Sequence, residues 1–347
     1  MAARSTQIDF DPAALLSHAA ARGMRAQVRA APPVAALFAP PTDPLDDRTR
    51  AALSERLERL VRTSADRLAE VAAARLDAAA EPALAARIRG EAEQVWDRLA
   101  AVPTLWDETL LAELLAETRL ALLAAALPVR APFNPDQPSL LARLAHSDDA
   151  LIAEAAKLLL LHGSVAEYAT LQQLCWPIAA ALRQNATDPE EIALLDRALI
   201  SAVEQLRGQD NEAPAAARLA RALRRDVATL PELIEQALSD RRLELVVALI
   251  ADAGGLGTRA VRDLVLERDP APLCMLLRAL DLPRETLARI GFALCEADPA
   301  RDLDGFADLI DEVAAVPLQA AWRAVAAMAL PAGYRTALLA LGDGAGA

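Results

Sequence analysis

Leu53, Leu57, Leu60, Val61, Leu68 and Val71, with Ser64 in the same seam, follow one another mostly in steps of three and four. That spacing lines them along one stripe of an α-helix, and Glu55, Arg56, Glu58, Arg59 and Arg62 flank it in the manner of a coiled coil. Asp46 is placed to open this helix, which should reach about residue 79. A helix lying on the core of its own module accounts for the pattern. The alternative is a seam joining two chains, so homodimerisation through 46–79 is left open.

The same period runs through the rest of the chain. Asp11 and Pro12 open an Ala-rich helix over 11–30, and Pro32, Pro33, Pro40, Pro41 and Pro44 form a stiff linker. Pro82 restarts a helix through Leu99. Thr104 is expected to cap the next, which runs to Leu127, with Trp96 and Trp106 bracketing the turn between them. Four prolines in 128–138 mark a boundary. Three stretches follow: 1–45 as helix and Pro-rich linker, 46–130 as an N-terminal helical module, and 138–347 as a C-terminal helical body.

Within that body the helices shorten and pair. Leu140 to Ala145 meets a Ser147-Asp148 turn and then 151–161; 230–238 meets Ser239-Asp240 and then 243–251; 261–266 meets Asp269-Pro270 and then 273–280. In each unit the Asp is expected to cap the second helix. Such units cannot bury an apolar face alone and must stack, which predicts an all-α protein built as an irregular HEAT-like helical-hairpin solenoid.

Composition sharpens this reading. Hydrophobic residues make up 54% of the 347 residues but aromatics only 3%, so the apolar content is mostly the helix formers Ala and Leu. The net charge of −13, with Lys157 the one lysine, disfavours nucleic acid and anionic membrane surfaces. The most apolar stretch, 110–127, carries Glu113, Glu117 and Arg119, too many charges for a bilayer span. The N-terminal residues lack the long apolar core of a signal peptide, and Cys175, Cys274 and Cys295 are too few and scattered for a disulfide framework. The expectation is a cytoplasmic protein with buried free thiols.

Candidate chemistry is sparse. His18, His146 and His162 pair at no metal-ligand spacing. His162, at the end of an apolar helix, is the one conceivable phosphoacceptor. Gly254-Gly255-Leu256-Gly257-Thr258 follows a helix rather than a strand and lacks the lysine of a phosphate loop, so it reads as helix stop, turn and new helix start. Glu296, Asp298, Asp302, Asp304, Asp308, Asp311 and Glu312 form an acidic cluster, but its spacing does not suit a calcium loop, and Asp302 and Asp304 read as helix caps. No cofactor is expected. The feature that stands out is basic: on the helix over 214–228, Leu219, Leu223 and Val227 form a stripe, with Arg218, Arg221 and Arg225 opposite and Arg224 beside them. This ridge could dock an acidic partner or be a solvated face. Trp96, Trp106 and Trp322 are the further candidates for partner contact.

The C-terminal third carries a resemblance. Arg262-Asp-Leu-Val-Leu266, Leu276-Leu-Arg-Ala-Leu280, Ala288-Arg-Ile-Gly-Phe-Ala-Leu-Cys-Glu-Ala-Asp-Pro299, Arg301-Asp-Leu303 and Gly305-Phe-Ala-Asp308 resemble the bacterial family catalogued as domain of unknown function 2336. Arg98-Leu-Ala100, Pro138-Ser-Leu-Leu141, and Trp176 with Ala179-Ala-Ala-Leu-Arg183 fit it more loosely, with Cys175 standing where members often have a second aromatic. The resemblance implies a cytoplasmic, helical, HEAT-like protein of mostly alphaproteobacterial distribution. It also implies similarity to regulators that act on two-component signalling by binding a sensor histidine kinase. Together these readings point to a non-enzymatic protein-binding regulator or scaffold. The rivals are a phosphotransfer or metal-dependent enzyme using His162 or the acidic residues at 296–312, and a structural subunit of a larger assembly.

Overall fold

A computed structural model describes residues 12–25, 45–128, 138–162, 167–208, 213–223, 230–330, 334 and 337. Of these, 82% are helical and none is in a strand. The chain is all-α.

The described residues of 31–118 and 165–213 form one compact unit, and those of 1–30, 119–164 and 214–347 form the other. Each is discontinuous in sequence, so the division differs from the consecutive stretches drawn from the proline positions. The first unit is organised by α2 (Asp47–Ala78); α1 (Pro12–Arg25) lies in the other. Asp46 caps α2, its Oδ1 accepting from Thr49 N at 2.8 Å and its Oδ2 from the Thr49 hydroxyl at 2.7 Å. The seam foreseen from spacing is a buried stripe: Leu53, Leu57, Leu60, Val61, Ser64 and Leu68 are all buried, while Val71 is half-buried. It packs against α3 (Pro82–Glu91), α4 (Val95–Ala100), α8 (Glu167–Arg183) and α9 (Pro189–Arg207), helices of its own unit. The restart at Pro82 is broken by a 3₁₀ turn over Ala92–Gln94. Helix α5 (Glu108–Ala126) starts later than Thr104 would dictate, because Asp107 supplies the cap, its Oδ1 accepting from Leu110 N at 2.9 Å.

The second unit contains α1, α6 (Leu140–Leu144), α7 (Ala150–His162), α10 (Ala215–Leu223), α11 (Leu230–Ser239), α12 (Leu243–Gly254), α13 (Thr258–Leu266), α14 (Ala271–Ala279), α15 (Arg284–Ala297), α16 (Leu303–Ala314) and α17 (Leu318–Ala326). Sequential neighbours pack in pairs, α6 with α7, α11 with α12, and α15 with α16. However, α1 packs on α14 and α17, a contact spanning most of the chain that a stack of repeats touching only neighbours does not have. The turn chemistry also departs from a simple rule. Asp269 behaves as expected, its Oδ1 accepting from Ala271 N at 3.0 Å ahead of α14. At the first turn the cap is Asp149, whose Oδ1 accepts from Leu151 N at 2.9 Å, rather than Asp148. Asp240 does not cap α12; its carboxylate accepts from Leu140 N at 2.5 Å and so closes the start of α6, 100 residues away in the chain.

Four helices end on residues in the left-handed conformation, Ala80, Arg241, Gly255 and Asp281. Behind each, an amide reaches back to a carbonyl of the last turn, as Glu81 N does to Leu76 O at 2.9 Å and Leu256 N to Ala251 O at 2.8 Å. Gly255 is thus a helix stop, as read from sequence.

Candidate partner-binding surfaces

The basic ridge sits on α10. Leu219 and Leu223 are buried, as the stripe requires, while Val227 lies outside the described residues. Arg221 is exposed. Arg218 is not an open surface charge: it is half-buried, and its Nη2 pairs with Glu154 Oε1 of α7 at 3.3 Å. Arg224 and Arg225 lie outside the described residues.

Of the three tryptophans named from sequence, only Trp322 is exposed. Trp106 is 5% accessible and belongs to the core of its unit. Trp96 is half-buried against it, ring centroids 6.2 Å apart and planes tilted by 57°. What the turn between them does present is aliphatic: Val102 and Leu105, beside the short 3₁₀ turn Pro103–Leu105, are more than two-fifths exposed. Trp322 is 41% exposed on α17, and Leu318, one turn earlier, is 36% exposed. The inner side of the same helix buries Ala321, Ala324 and Val325, and Arg323 is exposed beside the tryptophan. Leu318 was overlooked in the sequence. The signal was its four-residue spacing from Trp322, combined with small residues Ala321 and Ala324 at the positions that carry the burial.

The residues behind the family resemblance prove to be packing and capping groups. Phe306 of α16 lies on Gly291 of α15 so closely that a Cβ there would stand 1.5 Å from the ring. Asp302 caps α16 through Gly305 N at 3.0 Å. Arg301, its side chain 5% exposed, donates to Val265 O at 2.7 Å and lies 3.5 Å from Asp298. A cation there satisfies a carbonyl in the last turn of α13, although burial pulls the guanidinium below its ordinary range against the pull of Asp298. Asp311 pairs with Arg284 at 2.5 Å. Of the acidic residues at 296–312, Asp298, Asp302 and Asp311 are engaged in a cap and ion pairs, while Asp304 lies inside the first turn of α16 and Asp302 alone is its N-cap. No group of three or more His, Cys, Asp or Glu among the described residues could hold a metal. His18 pairs with Asp269, and His146 Nδ1 lies 2.8 Å from Ala142 O. The side chain of His162 lies outside the described residues.

The cysteines are free. Cys175 and Cys274 are buried, and burial, aided by Asp269 and Cys295, pushes the Cys274 thiol up to about 12. Burial also raises Cys295. None of the three has the lowered thiol that makes a nucleophile. No helix among the described residues is long and apolar enough to cross a membrane.

No curated protein and no solved structure matches the chain. The family model DUF2336, described as an uncharacterised protein conserved in bacteria, matches residues 129–326. That stretch includes the Arg218–Arg221 helix, the Leu318–Trp322 face and the Gly291–Phe306 and Arg301–Val265 contacts, and over more than half its length the chain belongs to this bacterial family.

Proposed function

We propose that this chain is a cytoplasmic, non-enzymatic regulator or scaffold that acts by binding another protein, with its HEAT-like helix pairs as the platform. The observation that carries the reading is the outer face of α17, where Leu318 and Trp322 stand exposed one turn apart beside Arg323. Tryptophan and arginine are the side chains that most often anchor protein interfaces, and a paired apolar face on a well-packed helix is already rigid when the partner arrives. Arg221 on α10 adds a positive charge to a chain whose net charge is −13, which would favour an acidic partner surface. The sequence resemblance points further, to a sensor histidine kinase as that partner.

Autophosphorylation of a kinase recovered from the native host by affinity capture tests this directly. A regulator alters the rate in proportion to the amount added and acquires no label. A phosphotransfer protein becomes labelled, and labelling of His162 would replace the reading with the enzymatic one. Capture that recovers nothing, repeated with Leu318→Ser and Trp322→Ser as controls, removes its basis.

A further inference from the structure

Helices α8 and α9 pack on each other and both lie on α2, so their exposed sides face the same way, away from it. The Arg183 Nε–Asp196 Oδ1 ion pair at 2.7 Å fixes their register across the turn that joins them. On its inner side α9 buries Leu195, Ala198, Leu199, Ala202, Val203 and Leu206. On its outer side Ala193, Arg197, Ile200, Glu204 and Arg207 are all exposed. These follow one another in steps of four, three, four and three, the spacing by which one helix meets another along a straight seam. Ile200, in the middle of the seam, is 46% exposed. Trp176 of α8, two turns before Arg183 and 43% exposed, comes level with the turn between Ile200 and Glu204.

The charges on this seam say what covers it. Arg197 and Glu204 flank Ile200, and neither has an ion-pair partner among the described residues; Arg197 Nε donates to Ala193 O of its own helix at 3.2 Å. Seven residues of helix separate the two charges by about 10.5 Å, too far for them to pair with each other. A second copy laid antiparallel, with the two-fold axis passing between residues 200 and 201, brings Arg197 of each copy to Glu204 of the other. The two Ile200 side chains then meet at the centre, with a Trp176 ring on either side. A parallel copy would set arginine on arginine and glutamate on glutamate. Opposite charges placed evenly about an exposed isoleucine are self-complementary, whereas an anionic membrane or a strongly acidic protein would meet Glu204 with repulsion.

We infer that the outer face of α8 and α9 joins two copies of this chain in an antiparallel two-fold dimer. Ile200 and Trp176 form its apolar centre, and reciprocal Arg197–Glu204 pairs form its rim. Tryptophan at such a centre is among the side chains that most often anchor an interface. The contact runs along about four turns of α9 and one neighbouring helix. That is a small interface, so the dimer should be reversible, with a dissociation constant on the order of micromolar. It leaves the α2 seam inside its own unit and uses neither Leu318 nor Trp322, so it stands or falls separately from the binding reading of α17.

Sedimentation velocity of the full chain, from about 1 to 100 μM, tests this, and the parent should pass from monomer to dimer across that range. Arg197→Glu and Glu204→Arg, each alone, set like charges against each other at both pairs and should weaken dimerisation about tenfold or more. The chain carrying both changes should regain the parent's dimer, and an equimolar mixture of the two single variants should form a heterodimer. Ile200→Glu should abolish association while the melting temperature at the lowest concentration stays that of the parent. Leu318→Ser with Trp322→Ser should leave the dimer intact. A chain that stays monomeric throughout overturns the inference, as does a dimer that survives Ile200→Glu or the single reversals. Loss in both single variants with no recovery in the double change or the mixture removes the antiparallel pairing and overturns it equally. So does loss of the dimer in the α17 variant, which would place the interface there.

Discussion

Gly291 and Phe306 show what single residues decide here. Any side chain at 291 must displace an aromatic ring that is itself 3% accessible and stacked edge-on to Phe292, centroids 6.0 Å apart. Overpacking of this kind costs about 3 kcal/mol, so Gly291→Ala should lower the melting temperature sharply. Adding Phe306→Ala to it should cost less than the sum of the two single changes in a thermal-melt cycle. Additive losses would mean the ring does not depend on that glycine. Glu244 is a second case. Burial raises its carboxyl above the ordinary range, against its helix N–H bond and Arg242 at 3.6 Å. With the folded pKa raised, the unfolded chain ionises first as pH climbs past about 4.5, so the native state loses stability through that window and remains penalised at neutral pH. Glu244→Gln should therefore be more stable than the parent at pH 7, with the advantage shrinking as pH falls toward 4. Urea melts at the two pH values check this, and an advantage that persists unchanged at low pH would contradict it.

At the scale of elements, the seam of α2 settles against the core of its own unit. Leu57 is fully buried and Leu60 is 9% exposed, and each buried leucine is worth about 1.5–3 kcal/mol. Leu57→Glu with Leu60→Glu should collapse the melting transition of the chain. The opposite result, a dimer in light scattering that becomes a helical monomer on substitution, would put that seam between chains. The caps were legible as a type of residue but less so as an address. Asp46 and Asp302 cap the helices that follow them, as their positions at the head of apolar runs announce. Asp240 looks identical in sequence, yet its carboxylate reaches the start of α6, because Arg241 turns left-handed and carries the chain straight into α12. A cap made across 100 residues leaves no local signature.

For the whole molecule, the binding prediction shifts with the surface. Reversing Arg218 would set a carboxylate against Glu154, so it disturbs packing as well as charge. Arg221→Glu is the cleaner charge test, since Arg221 is exposed. It should slow association and flatten its salt dependence, each exposed charge contributing on the order of 1 kcal/mol or less. Leu318→Ser with Trp322→Ser should weaken partner binding at least about tenfold through faster dissociation, with the melting temperature nearly unchanged. Surface plasmon resonance separates the two effects. Binding unaffected by the apolar pair would move the interface off α17.

The helical class, the long capped helix with its buried stripe, the helix stop at Gly255 and the family membership were all determined by the sequence. Each rests on spacing within one element or on a contiguous motif, and local patterns survive whatever the chain does elsewhere. Tertiary structure decided the rest. It drew the core of one unit from residues on both sides of 119–164 and brought α1 back onto α14 and α17. It also buried Trp106 while leaving Trp322 in solvent, and it tied Arg218 to Glu154. Periodicity tells which face of a helix is apolar; which neighbour covers that face depends on contacts between residues far apart in the chain, and those are fixed only when the helices pack.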